Sequence, residues 1–157
     1  MLSKLRGGNR IMLVYLAGPV DGVQRKEALD WRESVSQRLN RAGISTFSPA
    51  HAFSVVHFNS NGPSNKVTAQ AVTEINRYAI SQSSVVLAYL PKDRITIGTI
   101  REIEYAISIG KPVVVLVECT DIFFLSLYDT IQVSDWDEAI GAVIEVLFTG
   151  PFRTSTT

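Results

Sequence analysis

The sequence predicts a doubly wound, three-layer α/β domain built on a five-stranded, mostly parallel sheet. Three observations carry that prediction. Strand and helix signals alternate along the chain, the strand segments are apolar throughout rather than alternating, and 157 residues suit one domain with a real core.

Residues 1–10 read as a loose basic arm, lacking the apolar stretch and small-residue cleavage site of a leader segment. The domain is expected over residues 11–150. Its first strand is the run Ile11-Met12-Leu13-Val14-Tyr15-Leu16, closed by Ala17-Gly18-Pro19. A helix follows over 24–42, with Ala28, Leu29, Trp31, Val35 and Leu39 at helical spacing and Gly43 as its stop. Ile44 to Phe47 make a short second strand, and Ser48-Pro49 opens a loop over 48–65 rich in Asn, Ser, Gly and Pro. A loop of that length inside a compact domain reads as a lid, a binding loop or a partner contact.

A helix over 66–82 and a third strand over 84–90 come next, then a helix over 99–109 stopped by Gly110. Pro112 to Val117 form the fourth strand, 121–127 a helical turn, 130–133 an edge strand and 136–148 the last helix. A polar tail begins after Gly150-Pro151 and covers 151–157. Such alternation gives a flavodoxin-like or Rossmann-like sheet covered on both faces. Ligands in these folds bind beyond the C-terminal strand ends, where the strand order switches, so the segments after Leu16, Phe47 and Leu90 should meet there.

Composition narrows the function. Fifteen basic residues balance fifteen acidic ones, for a formal net charge of +0, so no global field recruits a polyanion and no nucleic-acid partner is expected. No apolar run approaches the ~20 residues that span a bilayer, and the protein is expected to be cytoplasmic, without a membrane partner. The lone cysteine, Cys119, excludes an internal disulfide and a thiolate metal cluster, and reads as a small filler at a strand end. His51 and His57 lack zinc-site spacing. The Ala17-Gly18-Pro19-Val20-Asp21-Gly22 turn matches neither a dinucleotide fingerprint nor a P-loop. No cofactor and no metal are expected.

The most informative segment runs from Thr96 through Gly98, Thr99, Arg101 and Glu102 to Ala106. A small polar run opens a helix directly after an apolar strand. It aims N–H groups and hydroxyls at one spot suited to an anion, with a carboxylate one turn further in. Thr99-x-x-Glu102 also fits a capping box, in which Glu102 would merely close the helix on its own backbone. Against that, Glu102 borders the apolar stripe of Ile100, Ile103 and Ile107 and should be partly desolvated. Glu104 points elsewhere and reads as a solvated charge. Tyr15 fits either core packing or a hydroxyl reaching Glu102 from the sheet's mouth.

Together these residues resemble the nucleoside 2-deoxyribosyltransferase superfamily. Within it they look closest to the nucleoside 5′-monophosphate N-glycosidases, among them deoxynucleotide hydrolases and CMP or hydroxymethyl-CMP hydrolases. The resemblance runs from Val14-Tyr15-Leu16-Ala17-Gly18-Pro19 through Gly98-Thr99-Ile100-Arg101-Glu102-Ile103-Glu104-Tyr105-Ala106 to Gly110-Lys111-Pro112-Val113, the middle segment being the specific one. It implies that Glu102 is a nucleophile toward the anomeric carbon and that Tyr15 holds it. Thr96 stands where an aspartate goes with free nucleosides and a serine-like hydroxyl with a 5′-phosphate. Thr96, Gly98, Thr99 and Gly18 are therefore expected to bind a small-molecule nucleotide. Ser126 matches a serine that approaches the phosphate from a neighbouring subunit, which implies a homodimer or higher homo-oligomer.

The chain departs from the pattern in places. Asn76 stands where relatives carry an aspartate, and asparagine hydrogen-bonds but cannot act as an acid. Ser84 replaces a second carboxylate. Pro19 and Asp21 replace a Ser and an Arg offered to phosphate in some hydrolases, with Arg25, Lys26, Lys92 and Arg94 as compensating cations. Phe47, Phe53, His57, Phe58 and Asn59 are candidates to stack on or hydrogen-bond the base. Three functions compete on these residues: nucleotide N-glycoside hydrolysis first, base exchange by a 2-deoxyribosyltransferase second, and a non-catalytic nucleotide sensor third.

Overall fold

The computed structural model describes residues 12–20, 22–52, 66–94, 96–118 and 129–149. Its elements run β1 (Leu13–Ala17), α1 (Arg25–Arg41), β2 (Ser45–Phe47), α2 (Pro49–Ala52), α3 (Lys66–Gln82), β3 (Val85–Leu90), α4 (Ile97–Ser108), β4 (Val113–Val117), β5 (Ile131–Val133) and α5 (Trp136–Thr149). The five strands form one sheet in the order β2-β1-β3-β4-β5, and every neighbouring pair is parallel. The expected sheet was mostly parallel; the observed one is wholly so.

Two cores follow from the period-2 alternation of the strands. Val14 and Leu16 of β1, Val85 and Leu87 of β3, and Val114 and Leu116 of β4 face α1 and α5, meeting Val35, Leu39, Ile140 and Val143. Tyr15, Ala17, Val86, Ala88 and Val115 face the other way, meeting Ala79 and Ile80 of α3 and Ile103 and Ala106 of α4. Strands buried on both faces need apolar residues at every position, which is why they read as continuous runs. Gly43 and Gly110 end α1 and α4 with φ of 78° and 76°, a region that costs a side-chain-bearing residue steric strain.

The helix expected at 99–109 starts two residues earlier, at Ile97. Thr96 is its N-cap: the Thr96 Oγ1 accepts from the Thr99 backbone N–H at 3.4 Å, and the two threonine hydroxyls bond each other at 2.7 Å. Thr99 therefore sits inside the first turn, and the Thr99-x-x-Glu102 capping box does not form. The segment expected as loop over 48–65 begins with the short helix α2. The arm at 1–10, the helical turn at 121–127, the tail at 151–157 and residues 53–65 lie outside the described residues. Among the described residues no helix is long and apolar enough to cross a membrane.

Candidate active site

In strand order 2-1-3-4-5 the topology switches between the neighbouring strands β1 and β3, whose following helices α1 and α4 lie on opposite faces of the sheet and leave a crevice at the strands' C-terminal ends. A cavity of about 500 Å³ opens there, bounded by the turn after β1 and by the facing sides of α3 and α4. Gly18, Asn76, Thr96, Gly98, Thr99 and Glu102 all line it. Candidate residues from three separate parts of the sequence thus line one cavity. Ser126, Asp21, Phe53, His57, Phe58 and Asn59 lie outside the described residues.

Glu102 projects from the second turn of α4. Its Oε1 accepts a hydrogen bond from the Tyr15 hydroxyl at 2.8 Å, a contact that joins residues 87 apart in sequence. Of the two readings of Tyr15, the structure therefore has the hydroxyl on the carboxylate while the ring remains fully buried in the core. Phe47 stacks on the Tyr15 ring, with centroids 5.6 Å apart and planes 17° from parallel, and fixes it from behind. Phe47 does not line the cavity, and its ring contact among the described residues is with Tyr15.

Burial governs the ionisation of this pair. Removal from water pushes the Glu102 carboxyl up to about 7, against the Tyr15 hydrogen bond and the positive charge of Arg32, which both pull it down. The Tyr15 phenol is raised well above its ordinary value, first by burial and then by the adjacent Glu102 charge, so it stays a donor. A carboxylate near neutrality with a donor locked on one oxygen leaves its other oxygen available for nucleophilic or base chemistry.

The cavity's cations are not those expected. Lys26 is paired with Asp30 on the exposed face of α1, and neither Arg25, Lys92 nor Arg94 lines the cavity. Arg32, Arg77 and Arg101 do. Arg77 and Arg101 are exposed at the rim, the Arg77 guanidinium lying over the Tyr105 ring at 5.4 Å. Glu104 is exposed as expected, yet it also borders the cavity and is not isolated from it. Arg32 escaped the sequence reading although a signal existed. It falls between Ala28 and Val35 on the stripe of α1 that packs against the sheet, where a charge is out of place.

Two further details bear on ligands. Asn76 Oδ1 is buried without a hydrogen-bond partner among the described residues, an arrangement proteins avoid unless something else satisfies the atom. Gly98, at the second position of α4, has nothing within 4 Å of where a Cβ would stand, so no described neighbour requires a glycine there.

A sequence profile described as nucleoside 2-deoxyribosyltransferase matches residues 14–144, from β1 into the last helix. The chain belongs to that family. No curated protein sequence matches it. Among solved structures, a 2-deoxyribosyltransferase from Bacillus psychrosaccharolyticus superposes with a TM-score of 0.63 at 19% identity, covering 82% of this chain and 90% of that one. The CMP N-glycosidase BcmB of Clostridium botulinum gives 0.52 at 19% identity, covering 84% and 98%. The TIR domain of the Toll-related receptor TRR-2 of Hydra magnipapillata gives 0.51 at 18%, covering 87% and 94%. At these identities the likeness is one of fold, and it extends from nucleoside enzymes to a receptor domain.

Proposed function

We propose that this member of the deoxyribosyltransferase family hydrolyses the N-glycosidic bond of a nucleoside 5′-monophosphate, with Glu102 as nucleophile. One observation carries the reading: a half-buried carboxylate, bonded to Tyr15 on one oxygen, faces a cavity at the topological switch point. The free oxygen attacks C1′ as the C1′–N bond breaks, and the electron pair leaves with the base, which takes a proton from water. The glycosyl ester so formed is opened by water at C1′, regenerating the carboxylate and releasing sugar 5-phosphate. Tyr15 holds the carboxylate in line. Asn76 offers hydrogen bonds to the sugar or base without acting as an acid.

The preference for a monophosphate is supported by the start of α4. The backbone N–H groups of Ile97 and Gly98 have no intrahelical acceptor, the helix dipole places partial positive charge there, and Thr96 adds a neutral hydroxyl that does not repel a dianion. Arg77 and Arg101 add positive charge at the rim. The active unit is proposed to be a homodimer or larger assembly in which Ser126 of a neighbouring subunit approaches the phosphate.

Purified protein incubated with a panel of ribo- and deoxyribonucleoside monophosphates should release free base from at least one, read by chromatography. Glu102→Ala should reduce the rate at least ~10³-fold, as expected for loss of a covalent nucleophile. No base from any member of the panel rejects the hydrolase. The family's description favours a second reading, base exchange. With a deoxyribonucleoside as donor, adding a second free base should then yield a new nucleoside in place of free sugar.

A further inference from the structure

Arg32 is a cation sealed inside the protein, with 0% of its surface exposed. Nη1 donates to the Ala28 carbonyl at 2.6 Å and to that of Pro19 at 3.3 Å, and Nη2 donates to the Gly18 carbonyl at 2.8 Å. The Trp31 ring covers the guanidinium at 4.5 Å, and Nε has no partner among the described residues. Neutral carbonyls satisfy hydrogens but leave the charge uncompensated, and a buried charge without a counter-ion is costly. The guanidinium forms no direct ion pair among the described residues. The anion that acts on it is Glu102, on the wall of the same cavity.

We propose that Arg32 is a positioning residue for Glu102. Its fork grips the turn after β1 against the cavity, and its fixed charge favours the carboxylate form of Glu102. Tyr15 from β1 bonds Glu102 directly, and the charged or titratable groups that share its cavity are Arg32 from α1, Arg77 from α3, and Arg101, Glu104 and Tyr105 from α4 itself. Arg77, Arg101 and Glu104 are exposed, where water and salt screen them. Arg32 is fully buried, where a charge is screened less and reaches further. Burial pushes Arg32 down to about 10, so it remains charged wherever Glu102 titrates. Lysine would keep the charge but not the planar fork that holds two successive carbonyls.

The link to Glu102 ionisation does not depend on what reaction Glu102 performs, so it is tested without turnover. In full-length protein carrying ¹³C-labelled glutamate, the Glu102 carboxyl signal (identified by its absence in Glu102→Gln) is titrated by NMR. Arg32→Met should raise its midpoint by roughly one unit or more, the effect of losing one nearby opposite charge, and Arg32→Lys should leave it near the wild-type position. If Arg32→Met does not give a cooperative melt, Arg32→Gln, which keeps an N–H for a carbonyl, is read in the same way. The acid limb of kcat/KM should move in step with the signal. Arg32→Lys should keep the limb but lose roughly tenfold in plateau rate, since a looser turn misplaces the site. An unmoved Glu102 midpoint in a folded, neutral Arg32 variant overturns the proposal. A moved midpoint with no turnover by any variant or wild type supports it and counts against the hydrolase reading.

Discussion

Glu102 takes its position from two opposing demands, a fold that would rather bury something neutral and a cavity that holds a carboxylate. Its carboxyl is raised to about 7, so the folded state binds the proton more tightly than the unfolded chain does. For a group raised in this direction, stability is greatest below the unfolded value and is lost as pH climbs through the folded one. Over that window ionising Glu102 costs on the order of 3 kcal/mol. Glu102→Gln removes the titration while keeping an acceptor for Tyr15. The variant should melt at the same temperature as wild type near pH 4.5 and increasingly above it as pH rises, the gap reaching its full size just above pH 7. A gap that is constant with pH would mean Glu102 is not the group being desolvated. Stabilisation on neutralising one residue is the pattern of a site held against the preference of the fold.

Among the elements, α4 decides where the ligand groups sit, and its start shows what a sequence can and cannot specify. Thr96 and Thr99 stand three residues apart, and either can cap a helix; the chain uses Thr96 because the Thr96 carbonyl takes the Ile100 N–H at 3.3 Å. That two-residue choice separates a capping glutamate from one directed at Tyr15, and it rests on a contact 87 residues away that no local pattern contains. The strands, their order of appearance and the apolar stripes were legible because period and burial are local. Arg32 was missed although it interrupts the stripe of Ala28, Val35 and Leu39 with a charge, and its grip on Gly18 and Pro19 needed the folded turn. Gly98 gives a prediction at this scale. Gly98→Ala meets no described atom and gains helix propensity, so the protein should be unchanged or more stable by up to ~1 kcal/mol. A phosphate seated on the first turn would meet the added methyl. KM for the monophosphate should then rise roughly tenfold, ~1.4 kcal/mol of binding, while any slower reaction of the matching nucleoside is spared. Equal effects on both substrates would remove the phosphate from this end of α4.

Across the whole molecule, the turn after β1 is where the two cores touch. On one side of the sheet Tyr15 and Glu102 belong to the layer of α3 and α4; on the other, Trp31 of α1 packs with Tyr89 and Trp136, ring centroids 5.1 to 5.3 Å apart. Gly18 joins them. It lines the cavity, its carbonyl binds Arg32, and a Cβ placed on it would stand 2.7 Å from Trp31 Cζ2 and 3.4 Å from Arg32 Nη2. The glycine is required here by close approach of an indole rather than by backbone twist, for its φ is not positive. Gly18→Ala must therefore push Trp31 out of its stack or lift the turn off Arg32. Overpacking of this kind costs about 1–3 kcal/mol, a fall in Tm of roughly 3–9 °C for a chain of this size. If the turn is the part that yields, Trp fluorescence stays native while the Glu102 titration and the catalytic rate change together. If the indole yields, fluorescence changes and the rate is preserved. The fork of Arg32 resists the first movement, and the Trp31–Trp136 stack, with planes 19° from parallel, resists the second. Because two buried hydrogen bonds to a cation outweigh the ring contacts of Trp31 with Tyr89 and Trp136, the indole should move. The expected variant is thus less stable and spectrally altered but still active, and an inactive variant with native fluorescence would show that the turn is the softer of the two.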